Sequence, residues 1–183
     1  GNAERFRILA AIRDVLVAPD SPAAVITAMQ ESSVRIVSLT VTEKGYCHDP
    51  ASGELKLSHP DIQWDLANLE RPRTAVGFLV AGLARRFANG QPAFTPLCLD
   101  NLPTNGALLK RLTLTFAEAM NPVLAARIAQ VEFPSTMVDR IVPATTDPDR
   151  ADLTAKLGYV DNGMVKAEPF RQWVIEDRFP TGR

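Results

Sequence analysis

Along this chain, runs of β-branched and aliphatic residues alternate with stretches of helical periodicity. Residues 34–41, VRIVSLTV, are almost continuously β-branched, as in a parallel strand covered on both faces. FTPLCL at 94–99 reads the same way, and RFRILAAIRDVLVA at 5–18 predicts one or two further strands. Helices fall between them. Ser21 as cap and Pro22 at the first helical position start one over about 22–31. Others are predicted over 60–68 and over 73–89, the latter stopped by Asn89-Gly90. A fourth opens at Thr104 or Asn105 and a fifth at Pro122. Between strand and helix, TEKGYCHDPASGELKLSHPD is turn-rich, a long loop or a small hairpin excursion. Strand alternating with helix implies parallel β–α units, hence an α/β sheet.

One predicted strand has a fault in it. In EFPSTMVDRIVPAT, residues 132–145, Met137, Val138, Ile141 and Val142 are strand formers, yet Asp139 and Arg140 sit between them. Neighbouring side chains of an extended chain point to opposite faces, so one charge lands on each. The flanking residues look buried, and buried charges need partners. The short helix DPDRADLTAKLG follows, then a turn-rich stretch at 158–166 and an aromatic, proline-bracketed segment, VKAEPFRQWVIEDRFP.

Composition narrows the function classes. Of the 183 residues, 46% are apolar and 22% charged, close to the globular average, so wholesale disorder is excluded. Net charge is -1, from 20 basic and 21 acidic residues with no block of one sign, which argues against nucleic acid as a partner. No run approaches the roughly 20 apolar residues of a membrane span. The N-terminus lacks the basic-then-apolar layout of a signal peptide. Cys47 and Cys98 lie far apart without CxxC spacing and read as reduced thiols of a cytoplasmic protein. Cys47 and His48 with His59 fit no usual zinc spacing, so no metal is expected.

In open parallel sheets ligands bind just beyond the carboxyl ends of strands. That rule selects Thr42 and Glu43 after the 34–41 strand, Asp100 and Asn101 after the 94–99 strand, and Asp139 on the last one. An Asn amide there can donate to a carbonyl or alkoxide oxygen. A carboxylate can accept from sugar hydroxyls or relay a proton. No nucleophile elbow, Walker loop, HExxH or GxGxxG is present.

Four motifs in this order, SLTVTEKGY (38–46), DNLPTNG (100–106), FPSTMVDRIVP (133–143) and EPFRQWVIEDRFP (168–180), resemble the long-chain polyol dehydrogenases, the family of mannitol 2-dehydrogenase and fructuronate reductase. The resemblance spans residues 5–183. It implies metal-independent, NAD-dependent hydride transfer between a polyol or hexonate secondary alcohol and the corresponding ketose or keto acid. It implies an α/β, Rossmann-like parallel sheet with flanking helices, joined to a mostly helical substrate domain. Asn101 would polarise the reacting oxygen and contact substrate. Glu43 would lie at the nicotinamide end and help a proton reach solvent. Asp139 would line the substrate cleft, and Arg140 would pair with a neighbouring carboxylate or carbonyl. Thr42, Glu43 and Asp100 would be the cofactor contacts.

The family's glycine-rich loop would precede Arg5, and its Lys-x-x-x-x-Asn-x-x-His helix would follow Arg183. The chain is therefore expected to be an internal fragment without turnover of its own. Residues 1–164 would form the latter part of the NAD domain and 165–183 the entrance to the next. A standalone binding module derived from the family is the alternative; surface exposed by truncation would favour self-association, so a well-behaved monomer would count against a raw fragment.

Overall fold

The computed structural model describes residues 5–41 and 43–180, and for Glu43 and Lys44 the backbone only. Helix α1 (Pro22–Gln30) leads into strand β1 (Ile36–Leu39), followed by a 3₁₀ turn at Glu43–Tyr46. Helices α2 (Pro60–Ala67) and α3 (Ala75–Ala88) then bring the chain to β2 (Thr95–Cys98). Helices α4 (Asn105–Met120) and α5 (Pro122–Ile128), strand β3 (Thr136–Asp139), helix α6 (Asp147–Leu157) and strand β4 (Gln172–Ile175) complete the order. The turn-rich stretch after β1 is a small hairpin excursion, with His48 bridged antiparallel to Leu55.

Strands β1 and β2 are parallel and in register, Ile36 opposite Thr95 through Leu39 opposite Cys98. A parallel connection requires a crossover, which α2 and α3 supply. All four residues of β2 are buried, as its apolar run predicts. Strand β1 alternates between exposed and half-buried, which corrects the expectation of a strand covered on both faces. Among the described residues only β2 pairs with it.

Two other expectations are corrected. Residues 5–18 form no strand; Ile8 and Val15 are 82% and 81% exposed. A strand needs a hydrogen-bonded neighbour, and no described segment supplies one. The strand at 135–145 is shorter than predicted and pairs antiparallel with β4, not parallel with β2, Thr136 opposite Ile175 through Asp139 opposite Gln172. Its charges are not buried: Asp139 and Arg140 are exposed, as are Met137, Ile141 and Val142.

The core lies where α3 and α4 meet the parallel pair, around Leu79, Leu83, Phe94, Leu109, Leu112 and Phe116. Two charged side chains sit inside it, each fully bonded. The Arg86 guanidinium donates to the carbonyls of Met29 (2.8 Å), Glu31 (2.5 Å), Val34 (2.6 Å) and Pro92 (3.1 Å), tying α3 to the α1–β1 connection. Asp65 accepts from Arg73 N (2.7 Å), Thr74 N (2.9 Å) and the Thr74 hydroxyl (2.7 Å), while Thr74 caps α3 by accepting from Gly77 N (3.0 Å). A Cβ on Gly77 would stand 2.1 Å from Asp65 Oδ2, so only glycine fits that turn.

Candidate active site

The register of β1 and β2 fixes the geometry of the sheet's carboxyl edge. Leu39 and Cys98 end their strands opposite each other, and Leu99 N continues the ladder by donating to Leu39 O at 2.8 Å. The 3₁₀ turn at Glu43–Tyr46 and the loop of Asp100 and Asn101 therefore leave the sheet at the same level. This is where an open parallel sheet places its ligand crevice.

The side chains there divide into engaged and free. Asp100 is half-buried and engaged on both oxygens. Its Oδ2 accepts from the Tyr46 phenol, and its Oδ1 from Leu102 N (3.0 Å) and the Asn105 amide (3.1 Å). Tyr46 is fully buried, and its oxygen also lies 2.9 Å from Cys98 Sγ. The phenol's one hydrogen goes to Asp100, so the thiol is the donor to the phenol oxygen. Burial foremost, then the bond to Asp100, raises the Tyr46 pKa above the ordinary tyrosine range. Burial likewise pushes the Cys98 thiol up to about 12, against a lesser lowering by the Tyr46 bond. Both groups are neutral at physiological pH. Asn105 is fully buried; it donates to Asp100 and accepts from Thr136 N (2.9 Å). Thr136 in turn donates its hydroxyl to Cys98 O.

Asn101, between the engaged Asp100 and Leu102, is exposed, and among the described residues its carboxamide has no hydrogen-bond partner. It can donate to a ligand oxygen. Thr42 and the Glu43 side chain, expected at the cofactor, lie outside the described residues.

Asp139 lies on the wall of an open cleft of about 530 Å³, with Leu99, Val138, Arg140, Arg171, Gln172 and Trp173. Because Thr136 bonds at Cys98, β3 begins at the sheet edge where β2 ends and runs on from it. Arg140 donates to Glu168 O at 3.1 and 3.0 Å, and Ile141 N donates to Glu168 Oε1 at 2.6 Å, so the guanidinium does pair with a carbonyl. The strand-end rule thus brings the Glu43 turn, Asp100 and Asn101 to one edge and Asp139 to an adjoining cleft. It gives no role to Tyr46 and Asn105, which stand beside the residues it selects, and does not reach Cys98 and Thr136. A tyrosine following a glycine in a turn, and an asparagine at a helix start, read as ordinary loop residues until their partners are seen.

Comparison with known proteins agrees along the whole chain. Residues 2–183 match the mannitol dehydrogenase Rossmann domain. Mannitol 2-dehydrogenase of Aspergillus fumigatus is 46% identical over 179 residues, covering 96% of this chain and 36% of the relative. An uncharacterized oxidoreductase of Escherichia coli, YdfI, is 47% identical over 179 residues, covering 97% of this chain and 37% of its own length. Among solved structures, the Pseudomonas fluorescens mannitol 2-dehydrogenase in ternary complex with NAD and D-mannitol superposes with a TM-score of 0.90 at 46% identity. It is covered over 96% of this chain and 36% of that one. A substrate-free D-sorbitol dehydrogenase gives the same score at 40% identity and the same coverage. The chain thus spans a little over a third of the length of these relatives.

Proposed function

The chain belongs to the mannitol dehydrogenase family, as its Rossmann-domain segment, and on that premise we propose that it is the catalytic edge of an NAD-dependent polyol or hexonate dehydrogenase. The observation that carries this reading is the parallel, in-register pairing of β1 and β2. It delivers the Glu43 turn and the exposed Asn101 carboxamide to one edge. Residues 1–164 serve as the latter part of the cofactor domain and 165–183 as the entrance to a substrate domain. Strand β4, paired with β3, is the seam between the two.

An exposed carboxamide beyond a parallel strand end suits the nicotinamide end of NAD, which supplies the hydride acceptor when bound. Asn101 donates a hydrogen bond to the substrate oxygen as it gains charge, a contribution that strengthens toward the transition state. Glu43 passes the released proton toward solvent, and Thr42 adds a cofactor contact. Asp139 binds substrate hydroxyls from the wall of its cleft. The substrates are pairs such as mannitol/fructose or mannonate/fructuronate, turned over in the cytoplasm. In the full-length dehydrogenase containing these residues, Asn101→Ala should lower kcat by about 10²–10³. Turnover within about twofold of the parent would refute the role assigned to Asn101. The isolated 183 residues should give no NADH formation with either substrate.

The exposed apolar faces favour a second property of the isolated chain, self-association. Sedimentation velocity over a concentration series reads it directly, and a concentration-independent monomer would rule it out.

A further inference from the structure

Beside Asn101 in the chain begins an unbroken run of buried and part-buried hydrogen bonds, each made by at least one side chain. Tyr46, the last residue of the 3₁₀ turn, holds Asp100 in the loop after β2. Asp100 holds Asn105, the first residue of α4. Asn105 holds Thr136, the first residue of β3, and Thr136 returns to the carbonyl of Cys98 at the end of β2. The turn bearing Glu43, the loop bearing Asn101 and the strand bearing Asp139 are thereby joined through polar atoms alone. The backbone agrees: a Cβ on Gly106 would stand 2.3 Å from Phe133 O, so the first turn of α4 rests directly on the chain entering β3.

We propose that Tyr46, Asp100 and Asn105 are positioning residues that fix the Asn101 carboxamide against the Glu43 turn, without touching substrate or cofactor. This rests on the reading of Asn101 as the group that polarises the reacting oxygen. It also reassigns Asp100, whose two oxygens are both occupied by the protein, from cofactor contact to support. Asn101 is the central residue of a turn closed by Leu102 N on Asp100 Oδ1. Its backbone direction is therefore set by where Asp100 is held, and Asp100 is held by Tyr46 and Asn105. A polar network in a low-dielectric interior holds its geometry because an unpaired member is costly. A displacement of about 1 Å at a reacting group is enough for a loss near 10²-fold.

The test is a cycle in the full-length dehydrogenase with Tyr46→Phe, which removes a single oxygen, and Asn101→Ala. Tyr46→Phe should lower kcat by about 10- to 100-fold, with KM for NAD and for the polyol within about twofold of the parent. In the Asn101→Ala background the same change should cost less than about twofold, because the group it positions is gone. A parental kcat for Tyr46→Phe, or an undiminished loss in the Asn101→Ala background, overturns the proposal. Should Tyr46→Phe fail to fold by circular dichroism, Asp100→Asn takes its place in the cycle. It keeps an acceptor for Leu102 N but turns an amide toward Tyr46. The underlying reading fails separately, through Asn101→Ala alone turning over normally.

Discussion

Strands β2 and β4 are both four residues long and both largely apolar, Thr95-Pro96-Leu97-Cys98 and Gln172-Trp173-Val174-Ile175. Every residue of the first is buried; every residue of the second is exposed, with Trp173 at 57%. Strand β2 is gripped by a parallel neighbour and by α4, within a body whose helices α1 to α5 close around it. Among the described residues strand β4 has one antiparallel partner, β3, which is exposed at Met137 and Asp139. Its attachments are mostly polar: Glu176 N to Ser135 O at 2.9 Å, Ser135 N to Glu176 Oε2 at 2.9 Å, and the Arg178–Glu132 pair at 3.1 Å. An apolar strand pattern states what a segment is able to bury. Whether it does so depends on a partner that can be far away in sequence.

The comparison breaks most visibly if the body's buried charges are removed. Arg86→Met removes four hydrogen bonds, those to the carbonyls of Met29, Val34 and Pro92 and to that of Glu31, which keeps its bond from Val34 N (2.9 Å). The expected cost is about 3–5 kcal/mol, read as a lower urea midpoint with the cooperative transition carried by α3 and α4. Removing an exposed ion pair of the arm that β3, α6 and β4 form, such as Lys166 with Asp149 at 3.0 Å, should cost no more than about 1 kcal/mol. Similar losses at the two places would erase the distinction between body and arm.

The two regions should also fail at opposite ends of the pH scale. In the body, the Cys98 thiol is raised from 9.0 to about 12 by burial, so the unfolded state releases its proton first. Its contribution is complete below about pH 9 and is lost as pH rises toward 12, amounting to about 2 kcal/mol by pH 10.5. Tyr46 acts in the same direction at higher pH. In the arm, Asp149 is held down to about 2 by the Thr146 N–H and hydroxyl and then by Lys166. Its contribution is present above the ordinary carboxylate value of 3.8 and is lost as pH falls through 2. Hydrogen exchange should therefore show the body opening above pH 9 and α6 fraying between pH 4 and 2. Cys98→Val should flatten the alkaline limb; an unchanged limb would exclude the thiol as its source.

Much of this division was legible in the sequence, for identifiable reasons. Helix limits are set by local chemistry, so Asn121-Pro122 accurately marked α5, and Asn89-Gly90 marked the end of α3. Strand pairing is not local. Nothing within 132–145 tells whether its neighbour is β2 or a strand from the last dozen residues, and β3 took the latter. Buried charges do need partners, but Asp139 and Arg140 are exposed and do not illustrate it. Among the described residues, the charges that are buried and fully partnered are Asp65 and Arg86. Arg86 follows Leu79 and Leu83 at helical spacing, a cation on an apolar face, and that signal was there to read. At the site, strand ends named Asn101, while the roles of Tyr46 and Asn105 emerge only from contacts 54 and 31 residues apart in the chain.

Within the arm, α6 depends on its cap more than on packing. Leu153 is its one buried residue, and Thr146 and Asp149 bond reciprocally at its start. Thr146→Ala should cost about 1 kcal/mol, lowering the helical signal of α6 without shifting the unfolding of the body. A loss spread over the whole chain would mean that α6 is integral to the core.

The smallest effect on stability, and the sharpest test of what β4's exposure means, comes from Trp173→Thr. Threonine keeps strand propensity and the backbone bonds to β3, so the cross-strand pair with Val138 is weakened, by about 0.5 kcal/mol, and the cleft shared with Leu99 and Asp139 loses the indole from its wall. The same change strips the largest apolar side chain from the face of β4 that borders this cleft. If that face drives self-association of the isolated chain, the variant should dissociate at concentrations where the parent does not, while its urea midpoint hardly moves. Equal association by both would relocate the contact to the exposed residues 5–17, where Ile12→Thr repeats the measurement. A large fall in midpoint would instead show that Trp173 holds the arm together, and that β4 is exposed without being free.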